Sequence, residues 1–304
     1  MERLPITSFK RIEIFGVNML AIIGAIVVVV CVAGGYVLSH GNLAALWQPY
    51  ELVIICGAAF GAFLISNPMT VVKAAFGGAL GVLKGAKYGK KEYLELLSLM
   101  FDIFATVRKE GMMAIEEHIE EPAESSLFSK YPKILKDHHA IEFICDYLRI
   151  IVGGNMNPFE LENLMDIELD THHHEAEQPS AAITRVSDGL PGFGIVAAVL
   201  GIVITMGSLS EPPDVIGAHV AAALVGTFLG ILFAYGFVGP VATSMEHKAA
   251  DEAKFLECIK VCLLSTLNGY SPQIAVEFGR KTLFSNDRPS FTELEEYLKE
   301  QKAS

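Results

Sequence analysis

No aspartate or glutamate stands in the middle of any of the four apolar stretches of this chain, residues 19–38, 50–66, 190–209 and 215–241. Protein-bound charge at the centre of a bilayer costs at least about 2.5–3.5 kcal/mol, so acids found there are usually functional. If the four stretches cross a membrane, a proton or ion carrier at mid-bilayer has to come from another protein. Lys and Arg are missing from the short connectors 39–49 and 210–214. Cysteine is scarce: Cys31 and Cys56 fall in apolar stretches, Cys145, Cys258 and Cys262 in parts read below as cytosolic, and no disulfide is predicted. A phosphate-binding loop, a zinc-ligand pattern and a nucleophile with a plausible base are all lacking, so the chain is not read as an enzyme and no cofactor is assigned. Basic surface is in short supply too. With 23 Lys and Arg against 35 Asp and Glu, a net charge of −12, nucleic acid is excluded as a partner.

Of the 304 residues, 52% are hydrophobic, too many for an ordinary soluble protein of two domains. At about 1.5 Å per residue, some twenty uncharged residues cross roughly 30 Å of hydrocarbon. The sequence therefore predicts an all-α, polytopic membrane protein with four transmembrane helices, residues 19–38, 49–68, 188–209 and 215–241, and a helical cytoplasmic domain at 69–187. Residues 242–304 form a cytoplasmic tail. The segment 1–18 mixes charges with Leu4, Ile6, Phe9, Ile12, Ile14 and Phe15, which suits either an interfacial segment or a tail with no role of its own. Positive charge fixes the orientation: Lys10, Arg11, Lys73, Lys84, Lys87, Arg185, Lys248 and Lys254 flank the spans on one side, placing both termini in the cytoplasm.

Within 69–187, Tyr93, Leu96, Leu97, Met100, Phe101 and Phe104 recur at helical spacing up to Gly111. Gly153-Gly154 is a stop, and Asn157-Pro158-Phe159-Glu160 opens the next helix with a capping box and proline in its first turn. Residues 243–267 contain neither proline nor glycine, so the fourth membrane helix is expected to run on to Asn268-Gly269. Ser290-Phe291-Thr292-Glu293 starts a terminal helix. Gly57 and Gly61, and Gly226 and Gly230, have the spacing that lets helices approach closely, within one subunit or between subunits. Pro191 and Pro240 mark the inner ends of spans three and four, as a kink or helix start on one reading and as bending points on another. Thr205, His219, Thr227 and Tyr235 either line a wet path or bond a neighbouring carbonyl. His172-His173-His174 is read as a polar run, since sequence neighbours point apart on a helix.

Several longer motifs occur in one order: Gly34-Gly35-Tyr36, Gln48-Pro49, Glu51-Leu52-Val53-Ile54-Ile55, Leu190-Pro191-Gly192-Phe193-Gly194-Ile195-Val196-Ala197-Ala198, Val225-Gly226-Thr227-Phe228-Leu229-Gly230-Ile231-Leu232, Ala234-Tyr235-Gly236-Phe237, and Asn268-Gly269-Tyr270 through Gly279-Arg280-Lys281. Together they resemble the MotA family of flagellar motor stator subunits, from Met19 to about Leu298. The resemblance implies a homopentamer around a MotB dimer whose membrane helix carries the proton-accepting Asp, in the bacterial inner membrane. It implies that Pro191 and Pro240 couple protonation of that Asp to the cytoplasmic domain. It implies that Arg108 and Glu116, with Glu168 as a weaker third, meet a FliG-like rotor switch-complex protein. Ala198 falls where sodium-driven relatives carry Thr; a methyl offers sodium no oxygen, so H+ is the implied transported ion, with Thr227 beside it along the channel.

Two rival functions are weighed against this one. An ExbB- or TolQ-like energiser of outer-membrane processes has three spans and its large cytoplasmic segment after the first, whereas here that segment follows the second of four. A solute transporter predicts inverted repeats and a broken mid-membrane helix, neither of which is found.

Overall fold

A computed structural model describes residues 19–154 and 156–303. The extension 1–18 lies outside the described residues. The described residues are mostly helical and form no strand: α1 Met19–Leu38, α2 Pro49–Ser66, α3 Met69–Gly81, α4 Lys90–Glu110, α5 Glu116–Glu120, α6 Pro132–Leu135, α7 His138–Gly153, α8 Pro158–Gly207, α9 Pro213–Phe233, α10 Gly239–Leu267, α11 Pro272–Thr282 and α12 Phe291–Ala303. Short 3-10 turns link several of them, and one π-helical turn, Ala234–Val238, joins α9 to α10. The described residues divide into two units, those up to 86 with 176–247, and 87–175 with those from 248 on.

The first unit holds the apolar helices. Four segments are long and apolar enough to cross a membrane: Met19–Leu38, Leu43–Ser66, and windows within Pro158–Gly207 and Pro213–Leu267. Helix α1 buries none of its residues. The rest pack through small clusters: Ile55, Ala59, Leu190, Ala197 and Ala234 form one, and Phe63, Val71, Val72, Ala75 and Ala182 another.

The second unit is built differently. Its core joins Tyr93, Leu96, Leu97, Met100 and Phe104 of α4 to Phe128, Tyr131, Phe143, Tyr147, Leu161, Met165, Phe255 and Ile259. The helical spacing read in the sequence is thus the buried face of α4, and Gly111, at φ 92°, ends that helix in a backbone region that suits glycine. Asn157 caps α8 as its motif demands: its Oδ1 accepts from the Phe159 and Glu160 amides, and its own N–H donates to Glu160. Ser290 and Glu293 repeat that reciprocal pattern ahead of α12. Asp137 is buried, accepting from the Tyr88 hydroxyl at 2.6 Å and from Lys87, while Tyr88 stacks on Phe255.

Helix α8 departs from the sequence reading. Residues 157–187 and the third span were read as separate segments, with Pro191 suited to a helix start; instead one helix of 50 residues runs from Pro158 to Gly207, with Pro179 and Pro191 inside it. A proline removes one amide and strains one turn, and apolar helices tolerate this when neighbouring groups re-satisfy the backbone. At the other end of the chain, α10 continues to Leu267, and Gly269, at φ 84°, follows it.

Candidate functional site

The face where α8 meets α9 is made of bare backbone. A Cβ placed on Gly230 would stand 2.7 Å from the Leu190 carbonyl oxygen and 3.0 Å from the Gly194 Cα, and one on Gly194 would stand 2.9 Å from the Gly226 carbonyl oxygen. No side chain fits at these positions without displacing a helix. The Gly226 and Gly230 pair therefore works within this chain, whereas Gly57 and Gly61 meet nothing within 4 Å. Thr227 lies on the same contact, its Cα 3.3 Å from the Gly194 Cβ position, and Ala198 borders it, its amide nitrogen 3.5 Å from the Gly226 Cβ position. The two residues assigned to the channel are thus brought to one place.

A third residue joins them that sequence reasoning passed over. Glu51 stands at the start of the second apolar stretch, outside its middle. It is nevertheless buried, and its Oε2 lies 2.9 Å from the Gly226 Cβ position. Gly226 is well inside α9, so Glu51 sits level with the middle of its neighbours. No local signal shows this, because it depends on how α2 docks.

The two prolines are placed apart in character. Pro191 is half-buried inside α8, and Pro240 is exposed in the first turn of α10. Beside them the π-helical turn Ala234–Val238 loosens the backbone, and the buried Ser187 hydroxyl donates to the Ala234 carbonyl at 2.9 Å. A Cβ on Gly239 would stand 3.1 Å from both of those oxygens. Pro191 has no N–H for the Ser187 carbonyl and Pro240 none for that of Gly236, so this is where regular helix bonding is interrupted on both helices. Sequence reasoning missed Ser187 and the π turn. Of the other polar residues, Thr205 bonds the Gly201 carbonyl at 2.8 Å, the plain alternative left open for it, and His219 buries Nδ1 without a partner among the described residues.

In the second unit, Arg108 lies in the last turn of α4 and Glu116 begins α5, both exposed, with the turn Met112–Ile115 between the two helices. Glu168 is placed elsewhere, on a cleft lined by His139, Glu142, His172 and Glu175, where it accepts a 2.6 Å hydrogen bond from Tyr147. Burial, and then that bond, push the Tyr147 phenol above its usual range. His172 lies edge-on to His139 and His174 faces Asp170 at 3.8 Å, so the histidines do point apart. Among the described residues, no three His, Cys, Asp or Glu are grouped to hold a metal.

Residues 22–111 match the model of the motility protein A N-terminal region, and residues 136–258 that of the MotA/TolQ/ExbB proton channel family. The chain is 50% identical over 281 residues to motility protein A of Salmonella typhimurium, covering 92% of this chain and 95% of that one. It belongs to the motility protein A family. Motility protein A of Escherichia coli K12 gives the same identity and coverage. The fold is similar to that of the C. jejuni MotAB structure, with a TM-score of 0.74 over 90% of this chain and 99% of that one at 20% identity. Four apolar helices of spanning length, together with the match to a proton channel family, fit a multi-pass membrane protein.

Proposed function

We propose that this chain is the stator subunit of a bacterial flagellar motor, forming a proton channel with MotB and turning proton flow into torque on the rotor. The observation that carries this reading is the 50% identity to motility protein A over nearly the full length of both chains. The same likeness, with the match of residues 22–111 to the motility protein A N-terminal model, favours a stator over an ExbB-like energiser. In this reading five copies surround a MotB dimer in the inner membrane, with both termini in the cytoplasm. The partner's membrane Asp takes the proton opposite Ala198 and Thr227. Ala198 supplies no oxygen to replace sodium's hydration, so the driving ion is H+.

Neutralising the partner's carboxylate removes a buried charge, and α8 and α9 readjust against it. The interrupted backbone around Pro191, Pro240 and the π turn is where a helix bends at least cost. Each charge crossing 100 mV supplies about 2.3 kcal/mol, enough to re-aim a helix but not to unfold one. Both α8 and α10 contribute residues to the second unit, which carries Arg108 and Glu116 toward the FliG-like rotor protein. Exposed ion pairs are worth about 0–1 kcal/mol each, so the rotor contact uses several and weakens with salt. Glu168, bonded to Tyr147, contributes less.

Deleting the gene in its host and scoring filaments and swimming in the same cells tests this reading. Complete but immobile flagella, restored to swimming by the intact gene, are expected. Normal swimming with impaired outer-membrane energisation, in a host with no second stator set, would overturn it in favour of the energiser.

A further inference from the structure

Glu51 is 8% exposed, lies in a segment apolar enough to cross a membrane, and buries Oε2 with no hydrogen-bond partner among the described residues. What faces that oxygen is the backbone of Gly226, with the Ala197 methyl and the Ala198 amide beside the same point. The elements packed around it offer little to neutralise a carboxylate. On α9 the titratable groups are His219, about two turns before Gly226, and Asp214, more than three turns before it. Helix α3 offers the exposed Lys73, α2 itself Tyr50 and Cys56, and residues 190–207 of α8 nothing that ionises. No cation among the described residues is paired with Glu51.

A carboxylate oxygen buried without a partner carries a desolvation cost, and acids within membrane segments commonly mark ion paths. The glycine at 226 matters here as well. A Cβ there would stand 2.9 Å from Glu51 Oε2 and 3.1 Å from the Ala197 methyl, so glycine gives the carboxyl its present place.

We propose that Glu51 is a proton-binding site of this chain's own, an entry carboxyl beside Ala198 that serves the partner's membrane Asp. The inference rests on the channel reading above. In the step, a hydronium ion from the outer side gives its proton to the Glu51 carboxylate and leaves as water. The neutral carboxyl then passes the proton through water to the next carboxylate, restoring the Glu51 anion. Atoms and charge balance, and no other reactant is needed. A merely structural Glu51, holding the first turn of α2 by size and polarity, would be replaced adequately by Gln.

The test uses the complete complex of this chain with its MotB partner, reconstituted in vesicles under an imposed pH gradient. Glu51→Gln is expected to lower proton flux several-fold and to flatten its dependence on outer pH, while Glu51→Asp keeps most of the flux with a displaced pH profile. Size-exclusion chromatography checks that each complex is assembled. Infrared difference spectra on raising the pH should show a protonated-carboxyl band in the wild type that Glu51→Gln lacks. Wild-type flux and pH profile in an assembled Glu51→Gln complex would overturn the inference and leave the channel reading standing. If the Gln complex does not assemble, an unchanged pH profile in Glu51→Asp overturns it instead. A wild-type complex that carries no protons removes the channel reading and this inference together. Sodium flux that requires Glu51 under a sodium gradient would overturn the proton assignment.

Discussion

The second unit fills one continuous core with large side chains, and the first brings two of its helices together through glycine. Around α4 the buried residues are Leu96, Leu97, Met100, Phe104, Phe128 and Tyr131, whereas α8 and α9 meet through Gly194, Gly226 and Gly230. The difference follows from the solvent. In water, burying a Leu or Phe side chain is worth about 1.5–3 kcal/mol. In lipid that drive is absent, and helices hold together by close backbone approach. The two regions consequently break in opposite ways, one by losing volume and the other by gaining it.

The largest effect on motility is expected from adding a single carbon to the first unit. Gly230→Ala puts Cβ against the Leu190 carbonyl, costs about 1–3 kcal/mol in overpacking, and should abolish swimming, scored on soft agar. Gly57→Ala, which meets open space, should leave the chain's own packing intact. A defect there would report a contact with another chain. In the second unit the opposite change does the damage: Phe104→Ala should cost about 3–5 kcal/mol, read as increased protease sensitivity of the membrane-embedded protein. Phe104→Leu should cost far less.

A smaller effect is expected where the first unit uses a polar bond. Ser187→Ala leaves the Ala234 carbonyl with the Gly239 N–H alone, a loss of about 0.5–1.5 kcal/mol that should appear as lower torque at unchanged protein level. The smallest lies at α12. Ser290→Ala should cost about 1 kcal/mol, seen as faster amide exchange in that helix. The ion pair with Lys90, followed by the Ser290 amide and hydroxyl, holds the Glu293 carboxyl down at about 2. A lowered carboxyl stabilises the fold above its ordinary range, so protection of α12 should be full near neutrality and fall as pH drops from about 4.5 toward 2.

Much of the second unit was legible in sequence because its signals are local. The stripe on α4, the glycines after α4, α7 and α10, and the capping boxes at Asn157 and Ser290 each act within a few residues of themselves. What escaped depends on distant partners. Pro191 locally resembles a helix start, yet α8 runs through it. The π turn at 234–238 has no signature that a local rule detects, and its carbonyl is answered by Ser187, far away in sequence. Glu51 at the edge of an apolar run carries no local sign of burial, which comes only when α2 docks it against Gly226. The bond between Glu168 and Tyr147, on a cleft with His139 and His172, likewise joins residues distant in sequence.

The coupling claim is tested most directly by tethering cells that carry Pro191→Ala or Pro240→Ala and recording rotation beside the amount of stator in the membrane. Full membrane levels with no torque are expected. Wild-type torque in both variants would contradict a coupling role for the interrupted backbone around these prolines.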